Sequence, residues 1–116
     1  MQQIHAHIDL RPLIRRAIDA YAAWARATDP QIEVATRHTA LKAADELREA
    51  EYEDGDGPYA AAARRLANAA TLAILQATAD ARKAVLQGAI AAANDALNHQ
   101  LFLNDLGNDA NPNNAV

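Results

Sequence analysis

Apolar positions recur along this chain at intervals of three and four residues, the spacing of one face of an α-helix. In the first such segment, from about Asp9 to Ala27, this face consists of Leu10, Ile14, Ala17, Tyr21 and Trp24. Charged residues fall largely on the opposite side. Pro12 stands in the first turn, where its missing N–H removes no hydrogen bond. The pattern predicts an amphipathic first helix.

A second helix is predicted from Pro30 to about Tyr52. Asp29 before Pro30 indicates its start, because Asp accepts hydrogen bonds from free N–H groups and Pro suits the first helical position. The stripe expected to face the core consists of Ile32, Ala35, Thr39, Ala43, Leu47 and Ala50. The EDGDGP stretch at 53–58 then predicts a break before a third segment that begins at Pro58.

The segment from Pro58 to about Asn104 allows two interpretations. Its first apolar stripe is Tyr59, Ala63, Leu66, Ala70, Ala73 and Ala77, and its second is Leu86, Ile90, Ala93, Leu97 and Leu101. One unbroken helix would be about 70 Å long, far beyond the diameter of a small domain. We therefore favour a break at Thr78–Asp80, with Thr78 or Asp80 as the cap, although no Gly or Pro marks it. The alternative is three helices, one of them very long.

The two ends of the chain depart from the helical period. Ile4, Ala6, Ile8 and Leu10 alternate with polar residues, as in a half-buried strand. Residues 1–8 are therefore predicted to form an extended arm, and residues 106–116 a disordered tail after a helix stop at Gly107. The expected fold is all-α, a small antiparallel helical bundle of residues 9–105.

Composition adds one feature to this fold. Of the 116 residues, 31 are alanine and 28 are larger apolar residues. Alanine favours helix and has a very small side chain, so the helices should approach closely around a thin core. A thin core leaves little surplus stability, and we therefore expect self-association, most simply as a homodimer.

The stretch IHAHIDL, residues 4–10, raises the question of a metal site. His5, His7 and Asp9 have the spacing of metal ligands, and the stretch is similar to the start of the metallo-β-lactamase signature. Leu10 stands in place of that signature's closing histidine, and the chain is too short for that fold. The remaining histidines, His38 and His99, are far apart in sequence, so no metal is predicted. A histidine-based metal-binding bundle remains a lower-ranked alternative.

The residue inventory disfavours catalysis. The chain has no Ser, no Cys, no Glu-x-x-His motif and no Gly-rich phosphate loop, so neither an enzyme nor a cofactor is expected. Its net charge of -4 makes nucleic-acid binding unlikely, although Arg64 and Arg65 keep DNA binding as a last alternative. No uncharged stretch is long enough to span a membrane and no signal peptide is evident, so a soluble, cytoplasmic protein is expected.

The function expected on these grounds is non-catalytic protein–protein interaction. The chain would be a small regulator or inhibitor, antiactivator-like or phage-inhibitor-like, that blocks a target such as a nucleic-acid-binding regulator. The alternative is a structural or assembly subunit. The residues predicted to bind the partner are Ile4, Ile8, Leu10, Ile14, Tyr21, Trp24, Phe102 and Leu103. A predicted acidic patch, suited to a basic partner, consists of Asp45, Glu49, Glu51, Glu53, Asp54 and Asp56.

Overall fold

The computed structural model of the chain describes residues 9–53 and 59–110, with side chains through residue 99. These residues form four α-helices: α1 Arg11–Arg26, α2 Pro30–Glu53, α3 Ala60–Ile74 and α4 Ala79–Ala110. The all-α prediction is confirmed, and so is the choice of four helices over three.

Each helix packs against the next one in the chain, and α4 returns to pack against α1. Because the connections at 27–29 and 75–78 are short, consecutive helices run in opposite directions. Both of these connections therefore lie at the same end of the bundle, called here the connection end. Across the middle, α1 also touches α3, whereas α2 and α4 do not meet within the part of the chain that the structure describes.

The core follows the apolar stripes of α1, α3 and α4 in most positions. Ala77, in the connection after α3, is exposed, Ile90 is partly buried, and Leu101 lies outside the described side chains. Its largest fully buried side chains are Trp24, Tyr21, Leu10, Ile14, Leu47, Leu66 and Leu86. Alanines of α1, α2 and α3 fill much of the remaining space, for example Ala17, Ala44 and Ala70, each 0% exposed. Few large side chains separate the helices, so small changes of volume should be felt strongly.

Two polar side chains explain where α2 and α4 begin. The Oδ1 atom of Asp29 accepts a hydrogen bond from the Gln31 N–H at 2.8 Å, as the Asp-Pro signal predicts. The Oγ1 atom of Thr78 accepts one from the Ala81 N–H at 3.1 Å. On the other side of the break, the Gln76 Nε2 atom donates to the Leu72 carbonyl at 2.8 Å. Side-chain capping on both sides of the break takes the place of Gly or Pro.

The predicted core stripe of α2 is correct only in its second half. Ala43, Leu47 and Ala50 are buried, whereas Ile32, Ala35 and Thr39 are exposed. The physical reason is that polar residues occupy the inward face of the first turns: Glu33, Thr36 and Arg37 are partly buried there, ahead of Ala40. Glu33 accepts a hydrogen bond from the Trp24 Nε1 atom, so Ile32 and Ala35 are turned outward.

The end of α4 also differs from the prediction. The helix continues through Gly107 to Ala110, so residues 106–110 are helical and Gly107 is not a stop. A glycine inside a helix weakens it by only about 1 kcal/mol relative to alanine, which neighbouring residues can tolerate. The predicted arm at 1–8 and the tail residues 111–116 lie outside the described residues.

Candidate interaction surfaces

Four residues predicted to bind a partner belong to the core instead. Leu10 is 1% exposed, and Ile14, Tyr21 and Trp24 are each 0% exposed. None of them can contact a partner unless the bundle opens, because the other three helices cover this face of α1. The other four predicted residues, Ile4, Ile8, Phe102 and Leu103, lie outside the described side chains.

Tyr21 and Trp24 also satisfy their polar atoms inside the molecule. The Tyr21 hydroxyl donates to the Leu66 carbonyl oxygen at 2.7 Å. The Trp24 Nε1 atom donates to the Glu33 Oε2 atom at 2.8 Å, and the Arg82 guanidinium lies 5.7 Å from the centre of the Trp24 ring. These contacts hold α1 against three other helices, which is a structural role.

The predicted acidic patch is partly neutralised within the bundle. Asp45 pairs with Arg48 at 3.1 Å, and Glu51 pairs with Arg64 on α3. Glu49 and Glu53 are exposed to solvent. The last two predicted members of the patch, Asp54 and Asp56, lie outside the described residues. The acidic character of α2 is therefore a broad charge bias instead of a single free cluster.

Large exposed apolar side chains are concentrated at the connection end. Ile32 and Val34, in the first turns of α2, are 55% and 52% exposed. Ile74 and Leu75, at the end of α3, are 47% and 72% exposed. Single exposed apolar residues are ordinary, and here four lie at one end of a small bundle. These four residues are called here the apolar end.

A second surface is a groove along the outside of α3 and α4. Its lower part is a cavity of about 210 Å³ beside Tyr59 and His99, and its upper part is a more open hollow of about 540 Å³ beside Asn68 and Leu72. The two hollows share the wall residues Ala61, Arg65, Ala89 and Ala92, so they form one continuous α3–α4 groove.

Gly88 lines the upper hollow of this groove. A Cβ atom built on it would meet no atom of the described residues within 4 Å. The sequence pattern does not distinguish this surface, because helix propensity alone explains alanines on the outer face of α3. The glycine inside an otherwise regular helix was the one local signal that could have pointed to it.

The histidines are not brought together by the fold as far as the structure describes it. His38 on α2 and His99 on α4 are both exposed, and His5 and His7 lie outside the described residues. Within residues 9–53 and 59–99, no three carboxylate or imidazole side chains lie close enough together to hold a metal ion.

Two further findings concern the chain as a whole. Among the described helices, none combines the length and apolar character needed to cross a membrane. Comparisons of the chain with protein-family models, with curated proteins and with solved structures find no match. The apolar end and the α3–α4 groove are therefore the two surfaces of this chain that suggest a function.

Proposed function

We propose that this chain is a non-catalytic protein–protein interaction module of the cytoplasm, a small regulator or inhibitor that sequesters or blocks a protein target. The observation that carries the proposal is the apolar end, where four aliphatic side chains are between 47% and 72% exposed. Covering them would remove apolar surface from water, the main favourable contribution to protein association. They lie on two different helices, so a partner that contacts both would be bound in one orientation.

The charge distribution favours a basic target. Of the 15 acidic residues of the chain, nine lie between Asp29 and Asp56, in and beside α2. The same stretch holds only three basic residues, Arg37, Lys42 and Arg48. A negative α2 next to the apolar end would attract a positively charged surface, such as that of a nucleic-acid-binding regulator, and would speed its association.

The test compares the wild-type chain with a variant in which Ile74→Ser and Leu75→Ser are combined. Both side chains are largely exposed, so we expect the variant to keep the helical circular dichroism of the wild type. Tyr52→Ser is the matched control, because Tyr52 is 88% exposed but lies at the far end of α2. Each chain is cross-linked in cells of the native host, purified, and its partners are identified by mass spectrometry.

The expected result is one specific protein captured by the wild type and by the control but lost with the double variant. With that protein purified, the dissociation constant should rise by about tenfold or more, since central apolar side chains each carry a large share of binding energy. Equal capture by the double variant would show that the apolar end is not the binding surface. Failure to capture any specific partner with all three chains would overturn the proposal.

A further inference from the structure

We propose that the α3–α4 groove is filled by the same groove of a second copy of this chain, in a twofold-symmetric dimer. This inference depends on the groove alone and goes beyond the binding of a separate partner through the apolar end. A symmetric interface must be complementary to itself, so a projection at one end must fit a hollow at the other.

The groove carries such a projection and such a hollow. Leu72 lines its upper part and is 53% exposed. The lower cavity, of about 210 Å³, is walled mainly by alanines, with Tyr59 and Leu66, and Arg65 and His99 complete its wall. A cavity of about 150 Å³ holds a benzene molecule, so the lower cavity has room for a leucine side chain.

The positions of these features along α3 agree with a twofold axis. Leu72 and Ala61, at the two ends of the groove, are separated on α3 by about 16 Å at 1.5 Å per residue. A twofold axis that lies in the interface, perpendicular to α3 and midway between Ala61 and Leu72, exchanges the two ends of the groove. It then places Leu72 of each copy in the lower cavity of the other. Asn68 lies next to the midpoint, where its amide could bond to its counterpart and fix the register of the dimer.

Gly88 supports close contact between the copies. A glycine in a helix interior destabilises the helix by about 0.5–1 kcal/mol relative to alanine. No neighbour within the chain requires it, since an added Cβ would lie in open space. It lines the same hollow as Asn68, near the proposed axis, where a missing side chain allows another helix to approach closely.

Charge acts on this arrangement in two ways, and the first weakens it: Arg65 of each copy lies beside the proposed axis, where the two guanidinium groups repel each other. Residues 59–99 contain four basic and two acidic residues, whereas 29–56 contain three basic and nine acidic residues. Two copies that meet through α3 and α4 therefore keep their acidic α2 helices apart. Because the groove is only about 20 Å long, its interface is at the small end for specific complexes, and we expect a dimer that dissociates on dilution.

Sedimentation velocity of the full chain from about 1 μM to about 1 mM tests the proposal, the range in which small interfaces associate. We expect the wild type to shift from monomer to dimer. Leu72→Lys should raise the dissociation constant by about 100-fold, because a second cation would be placed in a cavity that Arg65 already lines. Leu75→Lys is the control: Leu75 is exposed but does not line the groove, so dimerisation should persist while capture of a separate partner declines.

Gly88→Ala should change monomer stability and dimer affinity in opposite directions, a combination that misfolding cannot produce. The monomer should become more stable to heat, because alanine favours helix, while the dimer becomes weaker, because the methyl group occupies the contact. A monomer at every wild-type concentration, or a dimer unaffected by both Leu72→Lys and Gly88→Ala, would overturn the proposal. Neither outcome bears on the apolar end.

Disulfide formation gives a direct second measurement, because the chain has no native cysteine. A chain with both Ala61→Cys and Leu72→Cys cannot join these residues within one copy, since a disulfide requires Cα atoms less than about 7 Å apart. Oxidation should therefore produce a dimer linked at these two positions between copies. Oxidised chains that remain monomeric, or that form random higher oligomers, would contradict the twofold arrangement.

Discussion

Two neighbouring carbonyl groups of α3 each accept a hydrogen bond from a different helix. The Leu66 carbonyl accepts one from the Tyr21 hydroxyl of α1 at 2.7 Å, and the Ala67 carbonyl accepts one from Arg48 of α2 at 3.0 Å. Arg48 also donates to the Thr71 hydroxyl at 2.8 Å. These directional contacts fix the heights of α1 and α2 against α3, which small alanine side chains alone would specify poorly.

We expect Tyr21→Phe to lower the free energy of unfolding by about 1 kcal/mol at neutral pH, the usual net value of one hydrogen bond. The variant should also change the response to alkali. Burial raises the pKa of Tyr21, so the folded state favours the protonated phenol. The stability that Tyr21 contributes is fully present below about pH 10, where Tyr21 keeps its proton in the unfolded chain too. Above about pH 10, this contribution to the free energy of unfolding falls by about 1.4 kcal/mol per pH unit.

Urea unfolding between about pH 7 and pH 11 measures both effects of Tyr21→Phe. The variant should lack the part of the alkaline decline that Tyr21 contributes in the wild type. Tyr52→Phe is the control, because Tyr52 is 88% exposed and should leave both quantities unchanged. An identical alkaline slope in the wild type and in Tyr21→Phe would show that Tyr21 does not resist ionisation.

At the scale of elements, the sequence indicated the helices better than their ends. The stripe of α1 is confirmed at all five positions, because this helix is covered along its whole length. For α2, the stripe is wrong in the first turns, because the partly buried face there carries Glu33, Thr36 and Arg37, and Glu33 bonds to Trp24. The spacing of apolar positions does not record which polar side chain finds a partner in the core.

Thr78 caps the α4 side of the break between α3 and α4. We expect Thr78→Ala to lower stability by about 1 kcal/mol, because the Ala81 N–H loses its acceptor at the start of α4. Thr39→Ala is the matched control, since the Thr39 hydroxyl only donates to the Ala35 carbonyl of its own helix. Thermal unfolding followed by circular dichroism compares them, and equal losses would rule out the capping role.

At the scale of the whole molecule, the alanines set the distance between helices. Ala70 on α3 is 0% exposed and lies one turn after Leu66, where α1 and α3 approach each other. Both candidate surfaces also arise at this scale. The apolar end and the α3–α4 groove depend on which helices are neighbours. The sequence therefore predicts self-association but not the surface through which it would occur.

We expect Ala70→Leu to lower the free energy of unfolding by about 1–3 kcal/mol, because a larger side chain would push α1 and α3 apart. Ala91→Leu, at an exposed position of α4, makes the same change without overpacking and should stay within about 0.5 kcal/mol of the wild type. Urea unfolding with matched m-values measures the difference. If Ala70→Leu stabilised the chain, the core would have to contain unfilled space at this level.

The order in which the helices pack has a consequence for how quickly the native state is reached. Every helix contacts its neighbour in sequence, and among residues 9–53 and 59–110 only the contacts of α1 with α3 and α4 join helices that are not consecutive. Most of the native contacts can therefore form by closing short loops, which keeps the mean sequence separation of contacts low. Chains of this kind fold within microseconds to milliseconds. The seam between α1 and α4, which closes the ring of helices, brings together the most distant parts of the chain and should be the slowest contact to form.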